Sequence, residues 1–167
     1  NTGIGMSQRM QSFVLDETIN PFNVVAPGKR PRVTLTPTLA MKDGKPYLAM
    51  AVQGGDTQDQ NLLQFFLDMV EFGMNVQEAT EAANINSNQL WLSLGGTAIK
   101  DRKPKPGSII LNSNTPDWTR KELKQMGYTL LFEDRTSGPI NAIYFDWEHN
   151  SFWGGSSNYG DDYGIGW

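Results

Sequence analysis

The sequence predicts a layered α+β domain, and three observations carry that prediction. An Asp43-Gly44 pair sits between two runs of alternating apolar residues, the pattern of a tight β-hairpin. Residues 59–72 then carry apolar side chains at helical spacing, and strand-like runs return after Gly127. Strand pairs alternating with helical segments in blocks point to such a layered domain.

Taken in order, Ile4 to Phe13 mixes apolar and polar residues without a clear period, and Pro21, Pro27, Gly28 and Pro31 make residues 16–32 irregular. Val33 to Met41 reads as a strand interrupted at Pro37, and Tyr47 to Val52 as the returning strand. At Gln53-Gly54-Gly55-Asp56-Thr57 the period changes. Asp56 or Thr57 is the expected N-cap of a helix from Asp59 to Phe72, with Gly73 as its stop. Asn75 is placed to cap a second, short helix from Gln77 to Ala83. Residues 84–114 show no readable period, with Gly95-Gly96 and a proline-rich basic turn. For a third helix Thr115 is the expected cap and Pro116 the first position, with Trp118 to Met126 ending at Gly127. Strands are expected at Tyr128–Phe132, Ile140–Phe145 and Ser151–Trp153, with turns at Ser137-Gly138 and His149-Asn150. A glycine-rich tail follows from Gly154. No internal repeat is visible, and residues 1–167 read as a single domain.

Composition narrows the function classes. Hydrophobic residues at 38% and charged residues at 19% exclude global disorder. A net charge of -4 and a pI near 4.9 speak against a nucleic-acid partner. The one basic cluster, Lys100 to Lys105, is broken by Pro104 and reads as a solvated loop. The chain has no cysteine, which removes disulfides, thiolate metal sites and cysteine nucleophiles. No apolar run reaches membrane-spanning length. Asn1 has no initiator methionine before it, so the chain reads as cut, processed or partly observed.

His149 is the only histidine and reads as a surface turn residue; with no cysteine beside it, neither a metal site nor a cofactor is expected. Asp161 and Asp162 lack the spacing of a calcium loop. Trp147, Phe152, Trp153, Tyr159, Tyr163 and Trp167 are assigned to core packing plus a docked tail rather than to a carbohydrate platform. Gly54-Gly55 is no phosphate loop, since no Gly-Lys-Ser/Thr follows.

An ordered series of short motifs goes further. Pro27-Gly28-Lys29-Arg30-Pro31, Thr36-Pro37-Thr38, Asp43-Gly44, Gly54-Gly55-Asp56, Phe72-Gly73-Met74-Asn75 and Glu78-Ala79 follow one another at short spacings. That series resembles the gamma-glutamyltranspeptidase family of N-terminal nucleophile hydrolases, strongly over about half the chain and more loosely from Gly138 to Trp167. The Gly54 to Gln58 segment and Arg9 resemble the branch that includes cephalosporin-acylase-like members. The resemblance implies an αββα sandwich, partial here because the strand that opens with the nucleophile precedes Asn1. The chain would then be the C-terminal part of the small catalytic subunit of a self-cleaving precursor. In the family a freed N-terminal threonine attacks a gamma-glutamyl amide, its own α-amine acting as general base. Thr2 falls downstream of that threonine, so no residue of this chain is assigned as nucleophile.

The same resemblance carries roles to individual residues. Gly54 and Gly55 fall where the family forms its oxyanion hole, which suits two bare N–H groups between a strand and a helix. Thr34 falls on a hydroxyl that binds the substrate α-carboxylate, although Val33 replaces a second expected hydroxyl. Arg9 and Ser12 occupy positions where typical transpeptidases hold a side-chain amide and an aspartate on the glutamyl α-amine. A neutral hydroxyl cannot supply that charge-assisted bond, and Arg9 instead suits an anionic group. Asp56, closing the Gly-Gly-Asp motif, joins the substrate-binding set. Ala83-Asn84 stand where the family commonly has proline and arginine.

The implied activity is gamma-glutamyl transfer or hydrolysis of the glutathione hydrolase type. The alternatives are a cephalosporin- or glutaryl-acylase-like amidohydrolase and a non-catalytic binding domain. Implied partners are a small amide substrate and the preceding large-subunit segment, with no cofactor, nucleic acid or membrane span. The family's usual setting suggests a periplasmic or secreted protein.

Overall fold

The computed structural model describes residues 9–90 and 103–158, so Thr2, Gly95-Gly96, Asp161, Asp162, Tyr159, Tyr163 and Trp167 lie outside the described residues. The chain divides into two compact units, Asn1–Thr34 and Leu35–Trp167.

In the first unit, two 3-10 turns, Met10–Ser12 and Pro21–Asn23, are joined by a bridge between Val14 and Val24. Asn20 caps the second turn by accepting from the Phe22 N–H, and Pro21 fits the first position because no N–H is needed there. The irregular reading of residues 16–32 holds.

The second unit opens with the hairpin β1 (Thr38–Lys42) and β2 (Lys45–Val52). Asp43 and Gly44 take φ of 51° and 76°, the two positive values that a two-residue turn matched to strand twist requires. The first strand starts at Thr38 rather than Val33. Pro37 has no N–H to donate to a ladder, and residues 33–37 run irregular before it.

Helices α1 (Gln58–Val70) and α2 (Val76–Glu81) follow. Thr57 stands at the cap of α1 but its side chain makes no capping bond, and the helix stops at Val70, short of Phe72. Gly73, at φ 69°, turns the chain out of it. Asn75 caps α2 through a full capping box with Glu78, an arrangement worth about 1 kcal/mol.

Next come β3 (Ile85–Ser87), β4 (Ser108–Asn112), α3 (Asp117–Gln125), β5 (Thr129–Glu133), β6 (Ile140–Asp146) and β7 (Ser151–Ser156). Pro116, not Thr115, sits at the cap of α3. Its fixed φ of -59° with ψ of 147° keeps it extended, which moves the helix start one residue on. Arg120 secures this corner by donating to the Thr115 and Ser113 carbonyls.

Two sheets result. In the first, β1-β2-β6-β7 run antiparallel; in the second, β3 pairs antiparallel and β5 parallel to β4, with α3 as the crossover. Along β2, Leu48, Met50 and Val52 face one side, and opposite them in β6 stand Tyr144, Ala142 and Ile140. Against this face pack Leu62, Phe65 and Met69 of α1, at helical spacing, with Val76 and Ala79 of α2. Burying a side chain such as Phe65 contributes roughly 1.5–3 kcal/mol. The opposite face carries Leu39, Ala49, Ile143 and Phe152 and is uncovered among the described residues.

Strand β7 extends through Gly154 and Gly155, which the tail had been expected to claim. A Cβ on Gly155 would lie 2.6 Å from the Val76 carbonyl oxygen, so the glycine lets α2 sit directly on the strand. Side-chain amides from the helices also reach strand backbones. Gln64 both donates to the Ile85 C=O and accepts from its N–H, and Gln60 accepts from the Ser87 N–H. Gln77 does the same to Ser156.

The aromatics at the far end of this sheet depart from the expected core packing. Phe145 stacks on Trp147 and meets Phe152 edge-on, yet Trp147, Phe152 and Trp153 stay exposed. The Trp147 indole donates to the Pro46 carbonyl, and Lys45 lies over its ring.

His149 is a surface turn residue as expected, with a partner the sequence did not announce. Asp146 Oδ1 accepts from the Glu148 and His149 N–H groups at 3.1 Å, and its Oδ2 meets His149 Nδ1 at 2.8 Å. The ring contact is the largest cause holding the Asp146 carboxyl below its ordinary value, against the opposing effect of burial. A depressed carboxylate stabilises the fold above its unfolded-state pKa, and that contribution is lost as pH falls through the folded value. The stability deficit of Asp146→Asn in urea unfolding is therefore expected to be widest near neutrality and to narrow below about pH 4. A deficit of equal size at pH 7 and pH 3 would contradict this account of the turn.

Candidate functional site

The turn from β2 into α1, residues 53–57, is held on three sides. Its first residue extends the sheet, with the Gln53 N–H donating to the Pro139 carbonyl at 2.9 Å. Behind it, a Cβ on Gly138 would fall 1.7 Å from the Gln53 carbonyl oxygen, so only glycine permits the chain to pass. From the helix side, Gln58 Nε2 donates to the Val52 carbonyl at 3.0 Å, and the Gln58 N–H lies 3.4 Å from the Gly55 carbonyl.

A buried polar network holds the wall that Gly138 belongs to. Asn61 donates to the Asn86 side chain at 3.1 Å, Asn86 donates to the Thr136 carbonyl, and the Thr136 hydroxyl donates to Asn84. All four residues are buried, and buried amides with their partners supplied fix one arrangement rather than several. Sequence reasoning missed this network. Asn84 and Asn86 lie in a stretch without a period, and only the closure of β3 against α1 shows what they bind.

Within the turn, neither the Gly54 nor the Gly55 N–H donates to another described residue. Neither glycine has a positive φ, so backbone conformation does not demand glycine here. At Gly54 an added Cβ would press on Gln58 Cγ at 3.2 Å; at Gly55 it would meet nothing within 4 Å. Two adjacent N–H groups without acceptors among the described residues, at the positive end of a 13-residue helix, can stabilise a developing oxyanion. Asp56 is half-buried in the same turn and makes interactions of its own.

The remaining expected site residues belong to the first unit. Ser12 is buried in the first 3-10 turn, its hydroxyl donating to the Arg9 carbonyl at 2.7 Å, while the Asn23 side chain donates to the Ser12 carbonyl. A hydroxyl whose proton is so committed still has lone pairs to accept with. Arg9 adjoins it and has interactions of its own. The Thr34 hydroxyl is buried without a hydrogen-bond partner among the described residues. The structure thus groups Gly54, Gly55 and Asp56 in one turn and Arg9 with Ser12 in another.

A groove of about 540 Å³ between α3 and β5, lined by Asp117, Arg120, Lys121, Lys124, Gln125 and Phe132, is built differently. Its arginine is already committed to backbone carbonyls and lies over the Phe132 ring. Among the described residues, no His, Asp and Glu side chains group to hold a metal ion, and no helix is long and apolar enough to cross a membrane.

A family model described as gamma-glutamyltranspeptidase matches residues 1–167. The glutathione hydrolase proenzyme of Bacillus subtilis strain 168 is 31% identical over 132 residues, covering 79% of this chain and 20% of its own length. An acylase ACY 1 proenzyme from Pseudomonas sp. strain SE83 is 25% identical, covering 86% of this chain and 23% of its own. The chain thus spans about a fifth of the length of the curated relatives it matches. A solved gamma-glutamyltranspeptidase from Helicobacter pylori superposes with a TM-score of 0.70 at 21% identity, over 94% of this chain and 82% of that one, and shows the same α+β fold.

Proposed function

This chain belongs to the gamma-glutamyltranspeptidase family, and from that premise we propose that it supplies the oxyanion hole and part of the substrate pocket of an enzyme that cleaves gamma-glutamyl amides. The nucleophile in this reading is the N-terminal threonine of a preceding segment of the same precursor. Its hydroxyl attacks the amide carbonyl carbon and its α-amine takes the proton. The tetrahedral oxyanion lies against the Gly54 and Gly55 N–H groups, the amine leaves with the proton, and water or an acceptor amine resolves the ester.

The observation that carries the reading is the pair of N–H groups at Gly54 and Gly55 without acceptors among the described residues, with open space where a Gly55 side chain would stand. Thr34 would hold the substrate α-carboxylate, its buried hydroxyl having no other partner among the described residues. Arg9, Ser12 and Asp56 would complete recognition. A periplasmic or secreted setting fits the same family.

A second reading, a glutaryl-type acylase, is favoured by one observation: the position expected to hold the α-ammonium is a neutral Ser12. The two readings separate on paired substrates. The full-length protein would be assayed on gamma-glutamyl anilide and on glutaryl anilide, which lacks the α-amine. We expect release of aniline from the gamma-glutamyl compound with the higher kcat/KM; a preference for glutaryl anilide would move the protein to the acylase reading. Turnover of neither would remove the enzymatic proposal.

A further inference from the structure

We propose that Gln58 is the positioning residue of the oxyanion turn, an inference that rests on the reading of Gly54 and Gly55 given above. Gln58 is 4% exposed at the first position of a helix whose next residue, Asp59, is exposed. A buried primary amide requires a reason, because its polar atoms lose water.

The amide is only partly satisfied by the fold. Nε2 donates to the Val52 carbonyl at 3.0 Å, but Oε1 is buried with no hydrogen-bond partner among the described residues. If packing were the only demand, a side chain of similar volume without polar atoms would fill the space and bury no unpartnered Oε1. What the amide adds is its N–H bond to Val52, two residues before Gly54. The backbone N–H of the same residue approaches the Gly55 carbonyl at 3.4 Å, and Cγ lies 3.2 Å from the Cβ position of Gly54.

One residue therefore touches the carbonyl before the turn, the carbonyl within it and the flank of its first glycine. The consequence is chemical. With the Val52 and Gly55 carbonyls tied to Gln58, the backbone that carries the Gly54 and Gly55 N–H groups is held in one arrangement. Without the tether the turn can relax, and its N–H groups can find internal acceptors. Small misplacements of reacting or stabilising groups cost up to about 100-fold in rate.

The test uses the full-length protein, gamma-glutamyl and glutaryl anilides, and two substitutions. Gln58→Met keeps the volume and removes both the donor and the orphaned acceptor. It also leaves the Val52 carbonyl without that donor, so a modest fall in Tm is expected, with kcat down about 10- to 100-fold and KM little changed. Native-like kcat in a folded Gln58→Met, or a loss confined to KM, would overturn the inference.

Gln58→Glu supplies a readout that packing alone would not move. An ionised carboxylate cannot donate to the Val52 carbonyl, whereas the protonated acid can. Its kcat relative to the native protein is expected to rise as pH falls through the range where a buried glutamate protonates. A ratio that stays flat with pH would overturn the inference even if Gln58→Met failed to fold. A native protein inactive on both anilides would refute the underlying enzymatic reading instead, and the two failures are thereby told apart.

Discussion

Gly55→Ala is expected to lower kcat on gamma-glutamyl anilide by roughly 10²–10³-fold, the scale of losing one oxyanion donor, while Tm stays the same or rises. The two halves of that result have separate causes. An added Cβ meets no atom within 4 Å, and the residue does not need a positive φ, so the fold has no use for glycine at this position. Replacing a compatible glycine stiffens the unfolded chain and stabilises by about 0.4–1 kcal/mol. The methyl group would, however, stand in the space where the substrate carbonyl has to approach the N–H groups. Kinetics and thermal unfolding on the same preparation check both halves. A Gly55→Ala enzyme with native kcat would remove Gly55 from the oxyanion hole.

Gly138→Ala is expected to do the reverse, damaging the fold first and activity through it. The new Cβ would overlap the Gln53 carbonyl at 1.7 Å and its carbon at 2.6 Å, both backbone atoms with no rotamer to escape into. Overpacking of this kind costs about 1–3 kcal/mol and sometimes more, equivalent to a fall of roughly 2–4 °C in Tm for each kcal/mol in a chain of this size. Any enzyme that still folds must push Gln53 outward and carry Gly54 with it, so kcat should fall alongside Tm. Unchanged Tm would mean that this wall is softer than the close approach implies.

These two glycines show what the sequence made legible. The hairpin could be read because Asp-Gly forces two positive φ values, and α2 because Asn75 and Glu78 form a cap from local chemistry alone. The Gly54-Gly55 pair was visible through its motif. Gly138 was read only as a turn residue, since the reason for it lies 85 positions away in the Gln53 carbonyl. Strands β3 and β4 stayed hidden for a similar reason. A three-residue strand has no period to detect, and Ser108–Asn112 is largely buried, which erases the alternation that marks a half-exposed strand. Gln58 was visible only as the end of the Gly54 to Gln58 motif, without its burial, because a buried amide and a solvated one have the same letter.

The helix-borne glutamines have a consequence for how this architecture can be enlarged. Gln60 and Gln64 occupy the outward N–H groups of Ile85 and Ser87, and Gln77 occupies both backbone groups of Ser156. An incoming strand would have to displace them, and edges so occupied do not recruit neighbours. Among the described residues, the β3 border and the Ser156 end of β7 are therefore stoppered. A strand from the same precursor or from another polypeptide would pair at either place only after a glutamine had let go.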